Sequence, residues 1–155
     1  VPVIYATRDG GATWTGQVTL PSTDGATGAV RSISCSTAAE CTAVGDYTGT
    51  PSLILSTTDG GIDWTRSNPP AGVTGLTAVS CVASAACWAT GSSGSGAAVI
   101  TRASVGAPWA QDEHSASVTF QAISCLGTGQ CWAAGSLLTN PGEPTPGAIF
   151  ARTEP

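Results

Sequence analysis

Short stretches of this chain alternate apolar with small or polar residues. The alternation has the two-residue period of a half-buried strand, not the longer period of a helix. Ala-Val-Arg-Ser-Ile-Ser-Cys at 29–35 is echoed by Gly-Leu-Thr-Ala-Val-Ser-Cys at 75–81 and by Thr-Phe-Gln-Ala-Ile-Ser-Cys at 119–125. A second run then opens on the next cysteine: Cys-Thr-Ala-Val-Gly at 41–45, Cys-Trp-Ala-Thr-Gly at 87–91 and Cys-Trp-Ala-Ala-Gly at 131–135. A third predicted strand follows each time, at 52–57, 97–101 and 147–152. A turn, a tryptophan (Trp64, Trp109) and a short fourth strand come next. From Cys35 to Cys81 is 46 residues, and from Cys81 to Cys125 is 44.

Four short strands per 45 residues or so is the arithmetic of a β-propeller blade. The expected fold is therefore all-β, a partial propeller of about three four-stranded antiparallel blades. A solenoid of sheets is the rival arrangement. Val30, Ile33, Leu76, Val79, Phe120 and Ile123 recur at matching positions and are expected to pack between neighbouring blades. The predicted divisions are 1–20 as the end of a preceding blade, blades at 27–68 and 74–113, and an incomplete last blade at 117–155. On this reading the chain opens with third and fourth strands (1–7 and 14–18) and closes on a third. Two whole and two partial blades are too few for a ring of about 4–8. The expectation is the C-terminal part of a larger propeller, with closure by other copies of the chain as the alternative.

Composition agrees with strands and tight turns: 20 Gly and 10 Pro, no Met, and only 10% charged residues against 41% apolar. The net charge is −5, and the five arginines (Arg8, Arg31, Arg66, Arg102, Arg152) are scattered singly. Without a basic run to neutralise phosphates, a nucleic-acid partner is not expected. No apolar stretch approaches the roughly 18 residues that span a bilayer, so no membrane span is expected. The six cysteines form three copies of C-x5-C: Cys35/Cys41, Cys81/Cys87 and Cys125/Cys131. Identical spacing inside a repeat favours three local disulfides. Zinc is the rival, but there is one histidine, His114, and cysteine pairs in separate blades stand too far apart to share an ion. Disulfides persist outside the reducing cytosol, which points to a secreted or cell-surface location.

Thr7-Arg8-Asp9-Gly10-Gly11-Ala12-Thr13-Trp14 matches Thr57-Thr58-Asp59-Gly60-Gly61-Ile62-Asp63-Trp64, and both fit S/T-x-D-x-G-x-x-W. This pattern resembles the Asp-box, or bacterial neuraminidase repeat, of sialidases, sortilin-type receptors and photosystem II assembly factor-like propellers. The resemblance implies a propeller fold and little about activity, because these families differ widely. The physical expectation is structural. The glycine pair supplies positive φ in the turn, and the aspartate accepts backbone N–H bonds across it. The tryptophan covers the hairpin. Thr7, Asp9, Gly11 and Trp14, with Thr57, Asp59, Gly61 and Trp64, carry that role. In the next repeat the pattern decays: Thr101–Trp109 keeps Thr, Gly106 and Trp but has no Asp.

Loops joining fourth to first and second to third strands share one face, where propellers usually bind ligands. The loop-face candidates are Arg31, Thr77 and Gln121, at equivalent positions near the start of the innermost strand, with Asp24, Asp46 and Tyr47 beside Arg31. Together they suggest an anion- or sugar-binding corner, with solvated loop polarity as the plainer alternative. A sialidase needs three arginines on a carboxylate and a Tyr/Glu nucleophile pair. Here Arg8 and Arg102 fall at the opposite end and Arg66 on an outer strand, while Tyr5 and Tyr47 lack a suitably spaced Glu. Asp112-Glu113-His114 cannot converge on one ion from a strand whose side chains alternate. Trp88 and Trp132, each just after a second cysteine, are expected to pack over the disulfide.

No catalytic set, metal or cofactor is expected. The reading is a non-catalytic extracellular binding or scaffold module for a protein or glycan. The alternatives are part of a secreted carbohydrate-active enzyme whose catalytic residues lie elsewhere, and a structural subunit of a surface assembly. If the cysteines pair locally, each short closed loop contributes about 2 kcal/mol on the chain-entropy view. Reducing agent is then expected to lower the melting temperature and release six thiols. An unchanged melt and thiol count would refute the pairing.

Overall fold

The computed structural model describes residues 3–19, 28–48, 50–83, 85–127, 129–139 and 146–152. Among them there are strands and turns but no helix, and hence no helix long and apolar enough to cross a membrane. Two sheets are complete four-stranded meanders. One runs β3 (Gly28–Cys35), β4 (Cys41–Tyr47), β5 (Thr50–Thr57) and β6 (Thr65–Ser67). The other runs β7 (Val73–Cys81), β8 (Cys87–Ser93), β9 (Gly96–Arg102) and β10 (Ala110–Ser115). Before them β1 (Val3–Ala6) pairs with β2 (Thr15–Thr19), and after them β11 (Val118–Cys125), β12 (Cys131–Leu137) and β13 (Gly147–Arg152) form a three-stranded sheet. All pairs are antiparallel. These sheets are propeller blades.

Strand periodicity sends alternate side chains to opposite faces, so each blade has two faces to cover. In β5, Leu53 and Leu55 face one way, packing with Ala43 against Ile4 of β1. Ile54 faces the other way and, with Val44, meets Val73, Leu76, Val79, Ala89, Ala98 and Ile100 of the next blade. Trp88, Ala97 and Val99 then meet Val118, Phe120, Ile123 and Ala133 of the last blade. The core is thus three seams between sheets. Val79 and Ile123 take up their predicted seam positions, whereas Ile33 is 48% exposed, with no inner strand in front of it among the described residues. Trp88 sits in a seam between blades, a different place from the expected cover over its own disulfide.

Each cysteine pair closes the hairpin of a blade's two inner strands. Cys35–Cys41, Cys81–Cys87 and Cys125–Cys131 are disulfides between directly opposed residues, with Cα–Cα distances of 3.9, 4.1 and 4.1 Å. Beside them runs a hydrogen-bonded seam. Ser32 and Ser34 hydroxyls accept the Val79 and Cys81 N–H groups at 3.2 and 2.9 Å, and Ser80 accepts Cys125 N–H at 3.0 Å. The Ser-Cys step of the repeat therefore ties each blade to the one before it.

The glycine ending each C-x-x-x-G run has an equally local cause. A Cβ on Gly45 would lie 1.9 Å from the Ala29 carbonyl oxygen, one on Gly91 2.5 Å from that of Gly75, and one on Gly135 1.8 Å from that of Thr119. At these points the innermost strand presses on its neighbour, and only hydrogen fits. Gly45→Ala is therefore expected to destabilise the fold by about 3 kcal/mol, the range of a forced backbone overlap. Gly94→Ala, whose new Cβ would meet nothing within 4 Å, should change stability by no more than about 0.5 kcal/mol. Denaturant melts of the two variants make the comparison.

Candidate functional site

The close approach at each glycine coincides with a β-bulge in the innermost strand. Val30 pairs with Gly45 and Ser32 with Val44, so Arg31 is the extra residue. The same skip leaves out Thr77, between Leu76 opposite Gly91 and Ala78 opposite Thr90. It also leaves out Gln121, between Phe120 opposite Gly135 and Ala122 opposite Ala134. A bulge re-aims its extra side chain and is common next to functional sites. The three equivalent candidates are therefore bulge residues on successive innermost strands, at the end where the loops between blades lie.

Their environments differ. Arg31 Nε donates to Asp46 Oδ2, with the two side chains 53% and 37% exposed. Among the described residues the terminal guanidinium nitrogens of Arg31 have no protein acceptor. Asp46 reaches the seam, since a Cβ on Gly75 would stand 3.2 Å from its Oδ1. Thr77 is half-buried, its hydroxyl 3.0 Å from the Phe120 carbonyl oxygen and 3.1 Å from that of Thr90, so it helps hold two blades together. Gln121 is exposed. Tyr47 sits opposite Gly28 at the same end, half-buried, with the Arg66 guanidinium 4.8 Å over its ring. The structure thus brings Arg31 and Asp46 together, whereas Tyr47 packs against the Ile4, Leu53 and Leu55 cluster. Thr77 and Gln121 occupy the next two blades, and Asp24 lies outside the described residues.

At the opposite end, the two T-x-D-x-G-x-x-W turns are self-contained hydrogen-bonded units. Thr7 Oγ1 donates to Asp9 Oδ1 at 2.8 Å and accepts Gly11 N–H at 2.8 Å. Thr13 gives Asp9 both its N–H (2.9 Å) and its hydroxyl (2.6 Å). In the next blade Thr57 donates to Asp59 at 2.7 Å, and Asp59 also accepts the Ile62 and Asp63 N–H groups. The glycines take the required positive φ, 72° and 97° at Gly10 and Gly11 and 74° and 92° at Gly60 and Gly61. Donors converging on a carboxylate favour its ionised form. The Thr13 bonds, followed by the Thr7 hydroxyl, hold Asp9 down at about 2. The Thr57 hydroxyl and then the Asp63 N–H lower Asp59. A carboxyl so depressed holds no proton to donate at neutral pH.

In the third repeat the strand register corrects the sequence alignment. Cys41 lies opposite Thr57 and Cys87 opposite Arg102, so Arg102, not Thr101, occupies the threonine position of the turn. Gly106 keeps the positive φ, at 80°. Arg102 is 2% exposed. It donates from Nη1 to Ser56 Oγ at 2.9 Å and from Nη2 to Thr42 Oγ1, and its guanidinium lies 5.1 Å over the Trp109 ring. Desolvation pushes its pKa down, with Glu40 opposing the shift. The sequence places this arginine at the turn end of its blade, as found, but does not show that it crosses the seam. The one available signal was its spacing of seven from Trp109, the spacing of Thr57 from Trp64. Asp112-Glu113-His114 falls on β10, the outermost strand of its blade, with Asp112 at a register shift. Among the described residues, no three His, Cys, Asp or Glu side chains cluster to hold a metal ion.

The fold and its rim define a disulfide-stapled β-propeller segment, and disulfides of this kind belong to an oxidising, extracytoplasmic environment. No family model and no curated protein matches the sequence. Among solved structures the chain is similar to that of YCF48 bound to D1 peptide. The TM-score is 0.64 and the identity 23%, over 98% of this chain and 47% of that one. The chain therefore spans just under half the length of that neighbour, and the likeness supports the propeller fold.

The depressed aspartates also set an acid response. A carboxyl with a lowered folded-state pKa adds stability above its unfolded value near 4, and that stability is lost as pH falls through the folded value. Melting temperature should therefore drop as pH falls from about 4 towards 2. Asp9→Asn should melt lower than wild type at neutral pH and show a shallower fall on acidification. Parallel slopes for variant and wild type would contradict this role for Asp9.

Proposed function

We propose that this chain is a non-catalytic extracellular binding or scaffold module whose rim at Arg31, Thr77 and Gln121 receives a polypeptide ligand. The observation that carries the reading is the triple bulge. The same backbone device, repeated in three blades, turns one side chain per blade out of the sheet alternation at the loop end. Arg31 is the charged anchor. Asp46 holds its Nε, and its terminal nitrogens remain available for a carboxylate or carbonyl oxygen. A guanidinium fixed on one side loses less freedom on binding than a solvated one.

The similarity to a structure with a peptide bound supports a polypeptide over a glycan as the ligand class. The hydrogen bonding of the Asp9 and Asp59 turns supports reading them as Asp-boxes with a structural role. We read the blades as 1–20, 27–68, 74–113 and 117–155, within a larger propeller outside the cell. Ile149 supports that larger assembly. Its equivalents Ile4, Ile54 and Val99 are each buried by a following blade, whereas Ile149 is 78% exposed.

The test is an array of short synthetic peptides probed with the oxidised chain and with Arg31→Ala. Peptides bearing carboxylates should bind in a salt-sensitive manner and lose about tenfold in affinity with Arg31→Ala. The variant's melting temperature should stay unchanged, because an exposed ion pair is worth at most about 1 kcal/mol. Equal binding by wild type and variant, or no peptide binding, would overturn the assignment.

A further inference from the structure

The innermost strands β3, β7 and β11 follow one pattern, and it breaks at one position. Counted back six residues from the first cysteine of each blade, Ala29, Gly75 and Thr119 are equivalent. Ala29 lies opposite Asp46 and Thr119 opposite Ser136, in regular pairing. Gly75 has no such partner. Thr74 lies opposite Ser92 and Leu76 opposite Gly91, so β7 skips a residue at Gly75 as well as at Thr77. Gly75 also has a φ of 66°, in the left-handed region, which neither Ala29 nor Thr119 enters.

What stands over this second bulge is Asp46 of the preceding blade. A Cβ at Gly75 would meet Asp46 Oδ1 at 3.2 Å. The other oxygen, Oδ2, accepts from Arg31 Nε. One carboxylate thus reaches from the rim arginine to the backbone of the next blade. The repeat supplies the contrast. Where Asp46 follows Gly45, the shorter Ser92 and Ser136 follow Gly91 and Gly135. In the seam after Ser92, the facing strand keeps both a side chain and regular pairing at Thr119. The extra bulge and its glycine therefore occur opposite the aspartate, and the serine seam does without them.

We propose that Gly75 is a positioning residue for the rim: its bulge seats the Asp46 carboxylate, and the seated carboxylate fixes Arg31 through Nε. The inference rests on the binding role given to Arg31 above, and it makes the aim of that arginine a joint property of two blades. A side chain at position 75 displaces Oδ1 and releases the guanidinium to rotate. Binding a carboxylate then costs more ordering.

The test compares wild type with Gly75→Ala, Gly75→Asn and Gly72→Ala by proton–nitrogen correlation spectra of the arginine Nε–H groups, with Arg31 assigned by its loss in Arg31→Ala. Gly72 also has a positive φ, 85°, but a Cβ there would meet nothing within 4 Å, so Gly72→Ala carries the backbone strain without the contact. Asparagine enters the left-handed region more readily than alanine, so Gly75→Asn keeps the contact in a chain that folds more easily. Both position-75 variants should lose the downfield shift of the Arg31 Nε–H and exchange it faster with water, while Gly72→Ala retains it. A fluorescein-labelled hexaglutamate peptide should bind the position-75 variants about threefold or more weakly than wild type, as expected for residues in contact. In Asp46→Ser, which installs the residue of the other two blades, Gly75→Ala should cost no further affinity. An Arg31 Nε–H unchanged in both position-75 variants overturns the proposal, as does a full further loss of affinity in the Asp46→Ser background. Hexaglutamate that fails to bind wild type counts against the binding role of the rim, and the Nε–H signal then decides the role of Gly75 by itself.

Discussion

The faces of these sheets are covered chiefly by neighbouring blades, so most of the apolar residues the strands alternate outward are buried by the blade alongside. That constraint organises the molecule. Leu53 and Leu55 on one side of β5 and Ile54 on the other are each close to fully buried, by different blades. A strand that buries both faces reads as a continuous apolar run, and Leu-Ile-Leu at 53–55 is one. Burying such a side chain is worth about 1.5–3 kcal/mol. Stability therefore comes chiefly from stacking, as repeat architectures require.

Small residues make this stacking close, and specific contacts fix its angle. The serine hydroxyls accept N–H groups from the next innermost strand and so set the register of one blade against another. Arg102 does the same at the turn end, where the guanidinium reaches back to Ser56 and Thr42 across the seam and lies on Trp109. A guanidinium buried without a carboxylate in contact is costly unless its donors are used. Two hydroxyls and an aromatic face meet part of that need. The third repeat thus exchanges a turn stabilised within itself, as at Asp9 and Asp59, for a link between blades.

The repeat, the disulfide partners and the turns were legible in the sequence because each is set by short-range chemistry. C-x5-C places two cysteines opposite each other across a hairpin, and the glycine pair announces positive φ before any tertiary contact exists. The rim was half legible. Equal spacing put Arg31, Thr77 and Gln121 at one position, and the Arg31–Asp46 pair joins two residues already grouped together. What spacing could not supply is the bulge, because a skipped residue leaves the alternation nearly intact on either side. Arg102 was misjudged for a related reason: a one-residue difference between Thr101 and Arg102 reverses the face on which a side chain emerges. Ile33 was assigned to a seam by its pattern, and burial there depends on a partner strand that the pattern does not contain.

The bulge links the scaffold to the proposed binding rim. A glycine that admits the close approach of the innermost strand is demanded by packing, and it recurs in all three blades. The bulged residue that follows its partner is under no such demand, and it is Arg, Thr and Gln in turn. At Thr77 the hydroxyl is spent on a seam between blades, while at Arg31 and Gln121 the side chain points into solvent. One backbone feature therefore holds the strands in place and, at Arg31 and Gln121, leaves the side chain out of the packing. A chain with only 10% charged residues has few means of recognising a polar partner. Placing one of its five arginines at such a position, held at one nitrogen by Asp46, concentrates that capacity where the loops meet.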